Sequence, residues 1–157
     1  MKSCKLSWAI SGILTLAIVA MGYKFMYVGS VVPSTDGRQA IVVDPAERDL
    51  VLMEMRMFLD SSQRIIEAIT KEDMIAAAKA AREVGAAAQA AVPGTLMGKL
   101  PLAFKKLGFD THSKFDALAL DAEQLGDPKL ALQQLSTLMN NCIGCHSAYQ
   151  IQSTIAK

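Results

Sequence analysis

Residues 128–149 read PKLALQQLSTLMNNCIGCHSAY, and the reading of this stretch decides the fold. Gly126-Asp127-Pro128 closes one helix and opens the next, because glycine ends helices, aspartate caps them and proline suits their first turn. Leu132, Leu135, Met139, Cys142, His146 and Tyr149 then recur at spacings of three and four, the stripe of an amphipathic helix. Near its end, Cys142-Ile143-Gly144-Cys145-His146 is a CxxCH sequence, the attachment signature of c-type haem. There the two thiols form thioether links to the haem vinyl groups and the adjacent imidazole ligates the iron. Competing uses of a CxxC pair lack a part. A structural zinc site needs two further Cys or His ligands, and the remaining cysteine, Cys4, stands at the far end of the chain. A thioredoxin-type pair belongs at a helix N-terminus, where the helix dipole lowers the thiol pKa.

Three more helical segments precede this one. Asp44-Pro45-Ala46-Glu47 supplies an N-cap, a proline at the first position and an acid at the third, opening a helix to about Ile69 with Leu52, Met55, Leu59, Ser62, Ile66 and Ile69 on one stripe. Thr70 with Asp73 starts an Ala-rich helix that Pro93-Gly94 ends, with Met74, Ala78, Ala81, Val84 and Ala88 inward. Asp110 or Thr111 caps a third helix to about Leu125, inward-facing at Phe115, Leu118, Ala122 and Leu125. Without any alternating strand pattern, the expectation is an all-α, antiparallel four-helix bundle. Alanine in the second helix is a helix former that also leaves room for a planar cofactor. Residues 94–109 are too apolar for a free loop and are expected to fold back over the bundle, roofing one edge of the haem. Lys99, Lys105 and Lys106 there read as solvated lysines ahead of partners for haem propionates.

Ahead of the bundle, Leu6 to about Val32 is apolar apart from Ser, Thr, Gly and Lys24. A bilayer core takes about 20 such residues, so this reads as one transmembrane helix, with Lys24 snorkelling among Tyr23, Phe25 and Tyr27. Lys2 and Lys5 would remain cytoplasmic, which puts the rest of the chain outside. A cleaved signal fits less well, because Ile18 stands where a cut after Ala20 needs a small residue and Val28-Gly29-Ser30 comes late. The expected organisation is an anchor at 1–29, a linker at 30–43 around Pro33, Ser34, Thr35, Asp36 and Gly37, and a haem domain at 44–157. On the oxidising, periplasmic side of the cell (inner) membrane, unpaired thiols are a liability unless used, as those of Cys142 and Cys145 would be; Cys4 reads as an inert thiol. A net charge of +1 excludes a generic nucleic-acid binder.

Four helices with CxxCH in the last turns of the fourth resemble the cytochrome c-prime family, over about residues 44–152. The resemblance implies that Cys142 and Cys145 are the thioether cysteines and His146 the proximal iron ligand. It further implies that the iron's other face looks toward the first helix, left open beside an apolar side chain in high-spin members and filled by a methionine in low-spin relatives. Met55 is the expected distal ligand, since it lies on the inner stripe, whereas Met57 shares a side with Glu54, Ser61 and Arg64 and Met53 is intermediate. The alternative aligns Arg48 with an arginine that the family often carries four residues before its distal apolar side chain, which puts Leu52 opposite the iron. Gln150 stands where the family commonly has a basic residue. His112 reads as a surface or capping residue rather than a ligand.

These readings converge on a membrane-anchored monohaem electron carrier with His/Met ligation, a ligand pair that raises the reduction potential. Its partners would be membrane-bound or periplasmic redox proteins, with the lipid bilayer holding the N-terminal helix. Alternatives are a five-coordinate haem protein that binds nitric oxide or carbon monoxide, and a fixed haem subunit of a larger membrane complex. No carboxylate pair or nucleophile with a base suggests an enzyme.

Overall fold

The computed structural model describes residues 2–154, with side chains from Ser7, so the reading of Cys4 lies outside the described side chains. The chain is mostly helical. Helix α1 (Lys2–Tyr23) continues through a wide π-turn at Lys24–Val28, and together they give an apolar helix long enough to cross a membrane. Strands β1 (Val31–Pro33) and β2 (Gln39–Val43) lead into α2 (Pro45–Thr70) and α3 (Met74–Arg82). A 3-10 turn at Ala86–Ala91 and the short α4 (Gly94–Lys99) precede α5 (Leu102–Leu125) and α6 (Pro128–Ala148), and β3 (Tyr149–Ser153) follows.

The helix ends follow the punctuation. Asp44 and Glu47 form a capping box, the Asp44 N–H donating to Glu47 Oε2 at 3.1 Å, with Pro45 at the first position. Asp73 accepts from the Ala76 N–H at 2.9 Å, while Thr70, expected to share that cap, is the last residue of α2. Asp127 caps α6 by accepting from Lys129 and Leu130, and Gly126 closes α5 with φ 61°.

Three expectations fail locally. The second helix stops at Arg82 because two side chains of α5 take over its backbone groups: His112 Nδ1 bonds the Val84 carbonyl at 2.8 Å, and Asp116 accepts from the Ala86 N–H at 2.9 Å. Gly85 permits this, since a Cβ there would collide with the Asp116 carboxylate. The third helix starts at Leu102 rather than near Thr111, so most of the supposed long connection is helix, behind an N-cap at Pro101. Residues 30–43 are a hairpin, not a free linker: β1 pairs antiparallel with β2 around Asp36-Gly37, and β3 adds parallel on the other edge of β2, Gln39 facing Tyr149 and Val43 facing Ser153. The described chain therefore is not all-α. Alternating Tyr149 and Ile151 with Gln150 and Gln152 is a strand signal at the end of a helix.

Helix α3 lies between α2 and α5, α5 packs along α6, and α6 meets α2 over a shorter contact. The core among them gathers Ile65, Ala77, Ala81, Phe115, Leu118, Leu135 and Leu138. Ala77, Ala78, Ala80 and Ala81 are covered by neighbouring helices, in the same core as the stacked rings of Phe58 and Phe115, 5.5 Å apart. The inner stripe of α2 runs through Val51, Ser61, Ile65 and Ala68, so Leu59 is 73% exposed and Ile66 43%. Likewise Leu132 and Met139 of α6 face outward while Ala131, Leu135 and Leu138 point in, and Leu125 is exposed. A second core joins Ile41 and Val43 of the sheet to Val51, Leu96 and Leu100.

Candidate haem site

Helix α6 carries Cys142, Cys145 and His146 in its last two turns. Asn141, just ahead, is buried and clamps α6 to α5, donating to Asp110 Oδ2 at 2.7 Å and Thr111 Oγ1 at 3.1 Å. Cys142 packs on the main core, and both cysteines are half-buried free thiols. Burial raises both thiol pKa values, and with the nearby Cys142 it pushes Cys145 up to about 11. They also sit at the negative end of the helix, which disfavours thiolates. A thioredoxin-type pair requires the opposite shift.

Beside them is a cleft of about 190 Å3. Its walls are Cys145 and His146 of α6, Val51, Leu52 and Met55 of α2, Phe104 of α5, Tyr149, Gln150 and Ile151 of β3, and Arg38 from the hairpin. The imidazole of His146 is exposed and has no hydrogen-bond partner among the described residues. Leu52 and Met55, the two candidates for the distal position, line this same cleft, whereas Met53 and Met57 face a different cavity. Phe104 brings the segment once expected to roof the site into its wall.

Arg48 does not line the cleft; it lies 3.8 Å from Asp49 on the surface. The cation at the wall is Arg38, which the sequence reading passed over. Its guanidinium donates to the carbonyls of His146 at 3.2 Å and Tyr149 at 3.3 Å, capping the helix that bears the motif, and pairs with Asp36 at 2.6 Å. Hydrogen bonds from Arg38 hold the Asp36 carboxyl at about 2, below its ordinary value. The signal available was an arginine one residue past Asp36-Gly37, where a hairpin turn aims side chains at a neighbouring strand. Gln150 is held by the Ser34 hydroxyl.

The lysines of the former connection lie elsewhere. Lys99 binds Asp44 at 2.7 Å and Glu47 at 2.6 Å, and Lys105 donates to the Phe25 carbonyl at 3.0 Å, so neither is simply solvated. His112 is buried in α5 at 3% exposure, not on the surface, with Nε2 3.2 Å from Glu54 Oε1. Its position ten residues into a helix, rather than at a cap, explains the difference.

Among the described residues no group of three or more His, Cys, Asp or Glu side chains gathers to hold a bare metal ion. The donor types are those a c-type haem would take: Cys145, the imidazole of His146, the Met55 thioether and the Arg38 cation line the cleft, while Cys142 packs on the main core outside that lining. No family model matches the chain, and neither a curated protein nor a solved structure matches it.

Proposed function

We propose that this chain is a membrane-anchored monohaem c-type cytochrome that passes electrons between respiratory partners. The observation that carries the reading is the cleft in which Cys145 and His146 of the CxxCH helix share walls with Leu52 and Met55 of α2. Helices α2, α3, α5 and α6 would form the expected bundle, with α2, α5 and α6 contributing walls to that site. Cys142 and Cys145 would hold the group through thioethers, His146 would ligate its iron, and Met55 would supply the second axial ligand. When bound, the haem supplies a one-electron couple, which a His/Met pair tunes upward.

The chain's own residues do the rest. Arg38, paired with Asp36, holds the end of α6 and is, among the described residues, the cleft's one cationic side chain that could hold a haem propionate. Val51, Phe104 and Ile151 keep the cleft apolar. The N-terminal helix, long enough to span a bilayer, would tether the domain on the periplasmic side and raise its local concentration near membrane-bound donors or acceptors. Optical spectra of the full chain, oxidised and reduced, test this: a low-spin ferrous spectrum unchanged by carbon monoxide is expected. A high-spin ferrous spectrum that shifts on adding carbon monoxide would favour the second reading, a five-coordinate gas-binding haem protein, for which Leu52 in the same cleft is the supporting observation.

A further inference from the structure

A second cavity, about 450 Å3, opens on the neighbouring face of α2, within the size range of small-molecule sites. Its walls are strongly apolar and soft, with Met53, Met57, Met97, Phe58, Phe104 and Phe109 among them. Few polar groups reach it. Glu83 is committed to Arg64 at 2.5 Å and 2.9 Å, and Lys105 to backbone carbonyls of Phe25 and Met26. Besides Gln89, this leaves Glu54 and His112, whose Nε2 and Oε1 lie 3.2 Å apart while His112 Nδ1 is held by the Val84 carbonyl. An acid–base pair set in an apolar wall suits a ring that is mostly apolar and carries an ionisable hydroxyl.

The cavity's position indicates where such a ligand comes from. Lys105 and Met97 in its wall flank the point where the apolar N-terminal helix meets the domain: Lys105 Nζ holds the carbonyls of Phe25 and Met26, and the Phe25 ring lies close against Gly98. A phospholipid headgroup would need free cations, and Lys105 is already engaged. We propose that this cavity binds the head group of a membrane-soluble hydroquinone, with one hydroxyl hydrogen-bonded to the Glu54–His112 pair. The site goes beyond the electron-transfer reading and stands without it. Val51 and Phe104 line both this cavity and the cleft beside His146, so one layer of side chains separates the two.

The test is calorimetric titration of the full chain in detergent with tail-less trimethylbenzohydroquinone, and with its dimethyl ether as a control of the same ring lacking donors. Saturable binding of the hydroquinone is expected, about tenfold tighter than the ether. Glu54→Gln should weaken the hydroquinone about tenfold, close to 1.4 kcal/mol, and leave the ether unchanged. Ala88→Trp, which fills the cavity from its wall, should abolish binding of both, with helix content by circular dichroism confirming the fold of each variant. The proposal is overturned if the wild-type chain shows no saturable binding, if both ligands bind alike, or if Ala88→Trp binds as wild type does. Haem content, measured separately, tells failure of this site from failure of the haem reading, because the titration needs no iron.

Discussion

Phe104 of α5 and Tyr149, the residue that ends α6, meet edge to face with ring centroids 5.5 Å apart and planes at 86°. The pair joins the start of one helix to the end of the helix carrying CxxCH, and both rings line the cleft beside His146. Edge-to-face pairs add about 0.5–1.5 kcal/mol to the burial of their area. Phe104 is half-buried, so Phe104→Ala should cost about 2 kcal/mol, less than a full core truncation. A lowered urea midpoint with an unchanged slope would show this, and a change below about 0.5 kcal/mol would mean that the pair does not hold the cleft.

Leu52 and Met55 are three residues apart and share one wall, so exchanging each separately distinguishes the two haem readings. Met55→Ala should convert a low-spin spectrum to high-spin and lower the reduction potential by on the order of 0.1 V, within the roughly 0.8 V that axial ligands span. Leu52→Ala should leave the spin state alone. The reverse pattern, with Met55→Ala silent and Leu52→Ala speeding carbon monoxide binding, would assign Leu52 to the distal position.

What was legible in the sequence follows from the range of the forces involved. Caps are local, so Asp44, Asp73 and Asp127 could be read from a few neighbours, and the stripe of α3 could be read because Met74, Ala78 and Ala81 recur at spacings of four and three. The stripes of α2 and α6 were displaced by one residue because Leu59, Ile66, Leu132 and Met139 are apolar yet exposed, and periodicity cannot say which of two adjacent apolar rows is inside. The end of α3 depended on His112 and Asp116, both about 30 positions away, and no local signal carries that. The strands were short, and β3 pairs with a strand more than 100 residues earlier. The CxxCH pattern was legible because its residues are contiguous; Arg38 reached its neighbourhood only through the tertiary fold.

Arg38→Gln should remove the two bonds to the carbonyls that end α6. Each is long, so the expected loss is about 1 kcal/mol in all, read by thermal unfolding. The Asp36 carboxyl, held near 2 by Arg38, should return toward its ordinary value of 3.8, which NMR titration of the variant reports. An Asp36 titration identical in both proteins would mean that Arg38 does not occupy this position in solution.

Two buried groups give stability opposite dependences on pH. Burial works against the charge on His112, but Glu54 and the Val84 carbonyl outweigh it and raise its pKa above 6.5. The folded chain then keeps a proton that the unfolded chain releases. That contribution is complete below about 6.5 and disappears as pH rises through the folded value. Burial likewise opposes the charge on Glu47, while Lys99 and the Asp44 N–H hold its pKa below 4.5, so its contribution is present above about 4.5 and lost as pH falls through the folded value. Urea unfolding between pH 2 and 9 should therefore show stability falling on both sides. His112→Asn should flatten the alkaline limb alone, and Glu47→Gln the acid limb alone; a single variant flattening both would refute the separation.

Gly29 joins the apolar N-terminal helix to the rest of the chain with φ 68°, a conformation that costs a side chain. Space is lacking as well: a Cβ at this position would meet the Lys99 carbonyl and lie 2.7 Å from Pro101 N, both of them backbone atoms that cannot rotate away. The same Lys99 carbonyl accepts the Ser30 N–H at 2.7 Å, so the two segments are already in register at that point. Gly29→Ala should therefore break the junction rather than the helices, at about 1–3 kcal/mol for the strained residue. Limited proteolysis should cut the variant between Val28 and Val31 much faster than the wild type while circular dichroism stays unchanged. Equal cleavage rates would mean that the helix does not rest on the α4–α5 corner, and would also remove the route by which a membrane-borne ligand reaches the larger cavity.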